Sequence, residues 1–119
     1  MDYLRFVYLD PFPRLWTALG LTDDELRLLE IAIMKSPDRS PVIPGANGIR
    51  KLRFAKPGLN KGKSGSFRIF YVHFPHYGQV IVLAVIAKHQ EANLPRSNIV
   101  QFGHVVQEIR ELLDKGVIK

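Results

Sequence analysis

The sequence predicts a small α+β domain, with an antiparallel β-sheet flanked by N-terminal helices and a C-terminal helix. Three observations lead there. A capped amphipathic helix begins at Thr22, three strand-like runs lie between Ile49 and Lys88, and an apolar stripe at helical spacing closes the chain. The 119 residues form one domain, 1–119, large enough to bury a core and too short for a second.

Taken in order, "YLRFVYL" (3–9) is rich in β-formers and reads as a first strand. In "DPFPRLWTALG" the prolines suit a first helical turn and Gly20 suits a C-terminal stop, which predicts a short helix. "TDDELRLLEIAIMKSP" predicts a longer one. Thr22 and Glu25 have the spacing at which each side chain satisfies the other's backbone N–H. Leu26, Leu29 and Ile33 repeat on one face, and Ser36-Pro37 ends the helix. The turn-rich "PDRSPVIPGANG" is a loop.

Strands are expected at "IRKLRFA" (49–55), "SFRIFYVHF" (66–74) and "QVIVLAVIAK" (79–88), the last two joined by a hairpin at "PHYG". The third run is apolar on both faces, as a covered central strand is. Ile99, Phe102, Val106, Ile109 and Leu113 form the stripe of the closing helix, which Gly116 stops. The expected core holds Leu26, Leu29, Ile33, Leu52, Phe54, Ile81, Leu83, Val85, Phe102, Val106 and Ile109.

Charge narrows the function. The formal net charge is +6, and residues 39–90 hold nine Lys/Arg and no Asp/Glu, while the rest of the chain is mildly acidic. A solvated face normally mixes both signs, so an acid-free basic middle points to a polyanion, most commonly nucleic acid. With no cysteine there is no disulfide framework, thiolate metal site or cysteine nucleophile. The stretch "MDYLRFVYLD" is neither a signal peptide nor a membrane span, so a cytoplasmic protein without membrane attachment is expected.

"GKSGSFRIFYVHF" starts like a phosphate-binding loop, but Gly58-x3-Gly62-Lys63-Ser64 is one residue short of the Walker spacing. The β-rich residues after this turn read as strand rather than helix, so a P-loop is excluded. Strand alternation instead places Lys51 and Arg53 on one face and Arg50 on the other. Arg68 shares its face with Phe70, Val72 and Phe74, where an unpaired charge is costly. Because residues 39–90 supply no acid, an external anion is the expected partner.

In that order and spacing, "VIPGANGIRKLRFA", "GKSGSFRIFYVHF" and "VIVLAVIAKHQEANL" resemble the HigB-like branch of the RelE/ParE toxin superfamily. The likeness covers about Leu21 to Leu94 and extends more weakly into the terminal helix. It implies the RelE-like fold and the toxin of a type II toxin-antitoxin system. The implied activity is that of a ribosome-dependent endoribonuclease (mRNA interferase), cutting mRNA in the A site without a metal or other cofactor. The implied partners are the ribosome with its mRNA and a separately encoded, DNA-binding antitoxin.

Residue by residue, the resemblance assigns Arg50, Lys51 and Arg53 to the family's basic strand, Lys63 to its turn, Arg68 and Tyr71 to the next strand, and Lys88 to the end of the last. Lys56 and Lys61 extend the RNA- or ribosome-binding set. Two positions depart from the pattern: Ser66 stands where relatives tend to carry glycine, and Ile86 where an aromatic is frequent. An aromatic there would stack on a base, so its absence bears on activity and codon preference.

Metal-free RNA cleavage runs by attack of a 2′-hydroxyl on the adjacent phosphate. Fixed guanidinium groups stabilise the charge that builds on its oxygens. Arg68 is expected in that role, assisted by Arg53 or Arg50, and Lys63, Lys88, Tyr71 and His89 are the candidates for proton transfer. His73 and His76 have only weak metal-pair spacing, so no metal site is expected, and His104 is expected at the surface or against a partner. Two other readings remain: a ParE-like toxin that inhibits DNA gyrase and cuts no RNA, and an RNA-binding relative without catalysis. The density of basic residues on the sheet favours RNA.

Overall fold

The apolar run QVIVLAVIA becomes the centre of the sheet. In the computed structural model, which describes residues 4–55, 66–88 and 94–118, strand β4 (Gln79–Ala87) is buried along its length except at half-buried Ile86. Strand β3 (Ser66–Phe74) pairs with it antiparallel, and β2 (Arg50–Ala55) pairs antiparallel with β3. Strand β1 (Arg5–Tyr8) takes β4's other edge, so the order is β1-β4-β3-β2. With neighbours on both edges and helices over both faces, β4 needs no polar side.

The expected antiparallel sheet holds for β2, β3 and β4, but β1 runs parallel to β4 and makes the whole sheet mixed. A parallel neighbour needs a long crossover, and here two helices and two strands separate β1 from β4 in the chain. Pairing along β3 and β4 shifts once: Phe70 faces Ala84, Tyr71 faces Val82, and Leu83 is unmatched. This bulge lets Leu83 and Ala84 enter the same core layer while Val82 and Val85 enter the opposite one.

Helices α1 (Phe12–Ala18) and α2 (Asp23–Lys35) cover one face. The capping box forms as expected: the Thr22 N–H donates to Glu25 Oε1 at 2.8 Å, and the Glu25 N–H donates to Thr22 Oγ1 at 3.2 Å. Phe12, Trp16, Leu29 and Ile33 pack on Phe54, Phe67, Ile69, Tyr71 and Val82. Tyr8, Phe12, Trp16 and Phe54 form a file of neighbouring rings. On the other face, α3 (Arg96–Asp114) lays Ile99, Val106 and Leu113 against Phe70, Val72, Ile81 and Leu83.

Of the expected core, Leu29, Ile33, Phe54, Ile81, Leu83, Val85 and Val106 are buried. Leu26, Leu52, Phe102 and Ile109 are half-buried against it. One 3₁₀ turn (Pro75–Tyr77) and Gly78, at φ 61°, join β3 to β4. Among the described residues no helix is long and apolar enough to cross a membrane.

The segment between α2 and β2 carries the chain from one face of the sheet to the other around the edge of β2. Val42 forms a bridge with Arg50; the Lys51 N–H donates to the Pro41 carbonyl at 3.1 Å and the Ile43 N–H to Ile49 at 2.8 Å. Ile43 and Ala46 then join the core under α3. Asn47 fastens the crossing, donating from Nδ2 to the Gly103 carbonyl at 2.8 Å. Helix and loop approach closely there: a Cβ on Gly103 would stand 3.4 Å from that nitrogen.

Candidate nucleic-acid interface

Register decides which basic side chains meet. Leu52 lies opposite Ile69 and Phe54 opposite Phe67, all four turned toward α1 and α2. The residues between them belong to the opposite face, where Arg53 is the direct cross-strand partner of Arg68 and Lys51 that of Phe70. Two cations directly opposite one another destabilise a sheet by about 0.2–1 kcal/mol. On its other side Arg68 faces Ile86 of β4, and two residues along its own strand lies buried Phe70. Its Nη1 is buried without a hydrogen-bond partner. A buried donor in that state costs about 1–3 kcal/mol, so the fold holds Arg68 at some expense.

Arg68 opens into a cleft of about 630 Å³ where the crossing segment meets the edge of β2. The lining includes Lys35, Arg39, Lys51, Arg53 and Arg68, five cations with no acid among them, together with Ser36 and Ser40. Cations converging on a concave surface focus a positive potential, and a guanidinium in the wall of such a cleft offers a planar fork to a phosphate. Lys35 belongs to the last turn of α2, where a cation also complements the helix C-terminus. Neither Lys35 nor Arg39 is singled out by sequence pattern. The only signal for Arg39 is that it opens the acid-free stretch, and Lys35 precedes both that stretch and Asp38.

Arg50 corrects one expectation. It does have an internal acid, Asp38, one residue outside the acid-free stretch. Its Nη2 stands 3.6 Å from Asp38 Oδ1, and its Nη1 donates to the carbonyls of Asp38 at 2.8 Å and Ser40 at 2.6 Å. His73 Nδ1 lies 2.9 Å from the same carboxylate oxygen. Tyr71, the cross-strand partner of Arg50, is fully buried and donates its hydroxyl to the Pro37 carbonyl at 2.8 Å. Burial pushes the Tyr71 phenol above its ordinary pKa, against the pull of the Ser40 hydroxyl and the Arg50 charge, while Asp38 adds to the rise. Tyr71 and Arg50 are thus on the α1/α2 face, and the sheet separates them from Arg68.

Lys88 comes directly after β4 and is half-buried; its backbone N–H donates to the Ser66 carbonyl at 3.0 Å, and Ser66 itself is buried. Lys56, Lys61, Lys63 and His89 lie outside the described residues. His76 and His104 are exposed. Among the described residues no group of three or more His, Cys, Asp or Glu is placed to hold a metal ion.

No protein-family model matches the chain. Among solved structures, a double arginine-to-alanine mutant of the E. coli toxin RelE in the free state superposes with a TM-score of 0.53 at 16% sequence identity. The match covers 77% of this chain and 90% of that one. The fold is RelE-like. Within this RelE-like frame, the basic cleft belongs to the edge of the sheet formed by β2 and β3, bordered by the end of α2 and the crossing segment.

Proposed function

We propose that the protein is the toxin of a type II toxin-antitoxin pair, of the HigB-like branch of the RelE toxins, and that it cuts mRNA in the ribosomal A site. The observation that carries this reading is Arg68, whose Nη1 is buried and unpartnered beside an acid-free cleft of five cations. A fold that keeps such a group is arranged for an external anion, and an RNA phosphate meets both the charge and the planar fork of arginine. The RelE-like fold and the motif order around residues 42–94 support the toxin assignment.

In this mechanism a 2′-hydroxyl attacks the adjacent phosphorus, forming a cyclic phosphate and expelling the 5′-oxygen. Arg68, with Arg53 opposite, stabilises the charge that grows on the non-bridging oxygens. Lys88, Lys63 and His89 are the proton-transfer candidates; Tyr71, whose hydroxyl is engaged with Pro37 on the opposite face, serves the structure instead. Lys51, Lys56 and Lys61 track the RNA or ribosome backbone. No metal takes part. The antitoxin, a DNA-binding protein encoded separately, keeps the toxin inactive in the cytoplasm.

The test is a purified translation reaction on a defined mRNA, with and without ribosomes, with cut ends mapped by primer extension. Cuts confined to translated codons and dependent on ribosomes, lost in Arg68→Met, are the expected result. Intact mRNA from folded, antitoxin-free protein would overturn the nuclease reading. A gyrase supercoiling assay would then separate a ParE-like inhibitor from an RNA-binding relative without catalysis.

A further inference from the structure

Behind the cleft, side chains from two strands converge on one short turn. Arg50 of β2 donates to the carbonyls of Asp38 and Ser40 and pairs with the Asp38 carboxylate. His73 of β3 meets that carboxylate at 2.9 Å, and Tyr71 of β3 donates to the Pro37 carbonyl at 2.8 Å. Arg50 and Tyr71 are cross-strand partners, and His73 lies two residues further along β3, so one patch of sheet makes every contact. The Arg50 and His73 side chains are largely buried, at 21% and 7% exposure, whereas that of Asp38 is 62% exposed. The turn is gripped from beneath.

The residue carried between these anchored positions is Arg39, which lines the cleft together with Arg68, Arg53 and Lys35. Like charges brought to one cleft repel, and a turn bearing one of them swings outward unless something holds it. The Arg50–Asp38–His73 cluster supplies that hold. We propose that Asp38 is a positioning residue: clamped by Arg50 and His73, it fixes the 37–40 turn and so presents Arg39 to the phosphate that Arg68 receives. This rests on the cleft being the phosphate site, and it gives a role to a carboxylate that touches no RNA.

The sign of one substitution tests it. Removing a negative charge close to a polyanion site strengthens binding if the charge acts only through its field. Loss of a clamp does the reverse. The measurement is fluorescence anisotropy of a labelled RNA hexamer, 2′-O-methylated throughout to prevent cleavage, titrated at several salt concentrations. Asp38→Asn is expected to weaken binding about threefold or more and to lower the salt slope by about one contact. Its thermal midpoint should stay within a few degrees of the wild type, because the ion pair is largely exposed on the Asp38 side. Arg39→Ala should lose a similar factor, and the double variant no more than either single one. Asp38→Glu, which returns a carboxylate to Arg50 and His73, should recover part of the loss.

Tighter binding by Asp38→Asn, or losses that simply add in the double variant, would overturn the positioning role while Arg68→Met still weakened the complex. Equal binding by Arg68→Met and wild type would instead overturn the phosphate-cleft reading, and the positioning role with it.

Discussion

Replacing Arg68 with methionine should make the protein more stable and abolish its function. Methionine keeps most of the apolar stem beside Ile86 and Phe70 but removes the guanidinium, whose Nη1 is buried with no partner. Relief of one unsatisfied buried donor is worth about 1–3 kcal/mol, and removal of the like charge opposite Arg53 adds about 0.2–1 kcal/mol. Arg68 is only half-buried as a residue, so the low end applies, a net gain of about 1–2 kcal/mol. For a chain of this size that is a rise in Tm of about 4–8 °C.

Thermal melts in chloride and in phosphate buffer read both effects. In chloride the variant should melt higher than the wild type. Phosphate should raise the wild-type midpoint, by the linkage of ligand binding to folding, and leave the variant unmoved. A variant that melts lower in chloride would refute the reasoning, because Arg68 would then be making interactions that stabilise the folded chain.

Thr22→Ala removes the Oγ1 that accepts from the Glu25 N–H in the capping box of α2 and should cost about 1 kcal/mol in urea unfolding without changing RNA binding. Salt titration of single-stranded RNA binding should give a slope approaching about −3.5 if all five cleft cations each meet one phosphate, at about 0.7 per contact, and each Lys or Arg removed should lower it. Alkaline titration should show delayed phenolate absorbance. Burial raises the pKa of Tyr8 and Tyr71, the Glu30 carboxylate adds to the rise at Tyr8, and a hydrogen bond to Asp114 raises that of Tyr77. Phenols held above their ordinary value near 10 contribute stability that is lost only through the unfolded chain's earlier ionisation: it is fully present below about pH 10 and declines as pH rises further. The phenolate signal of Tyr8 and Tyr71 should therefore rise together with loss of ellipticity, and ionisation of more than two of the four tyrosines at about pH 10 in a folded chain would contradict their burial.

Much of this site is legible without coordinates because strand alternation is a local rule. It puts Lys51 and Arg53 on one face and Arg50 on the other, and it sets Arg68 in line with Phe70 on an apolar strand face; the observed register agrees at each position. The capping box at Thr22 and the apolar stripe from Ile99 to Leu113 are equally local and fall where spacing puts them. Charge counting along the chain is less dependable, because sequence distance is not spatial distance. It missed that Arg50 reaches Asp38, and that Lys35 and Arg39, outside every strand motif, stand in the same cleft as Arg68. Tyr71 reads as one more polar residue after the strand arginine, but β3's alternation and its pairing with Arg50 bury it on the far face.

By itself, then, the sequence determined the elements, the central strand and the face on which each basic strand residue lies, all consequences of spacings within a few residues. Tertiary structure alone decided that β1 enters parallel to β4, that the turn after α2 passes around the edge of β2, and that Arg39 therefore lines the same cleft as Arg68 while Asp38 is held by Arg50 and His73. Those outcomes depend on where a long connection carries the chain and which buried groups find partners at its end. No short-range pattern encodes that path, because its energy lies in contacts between residues far apart in the chain.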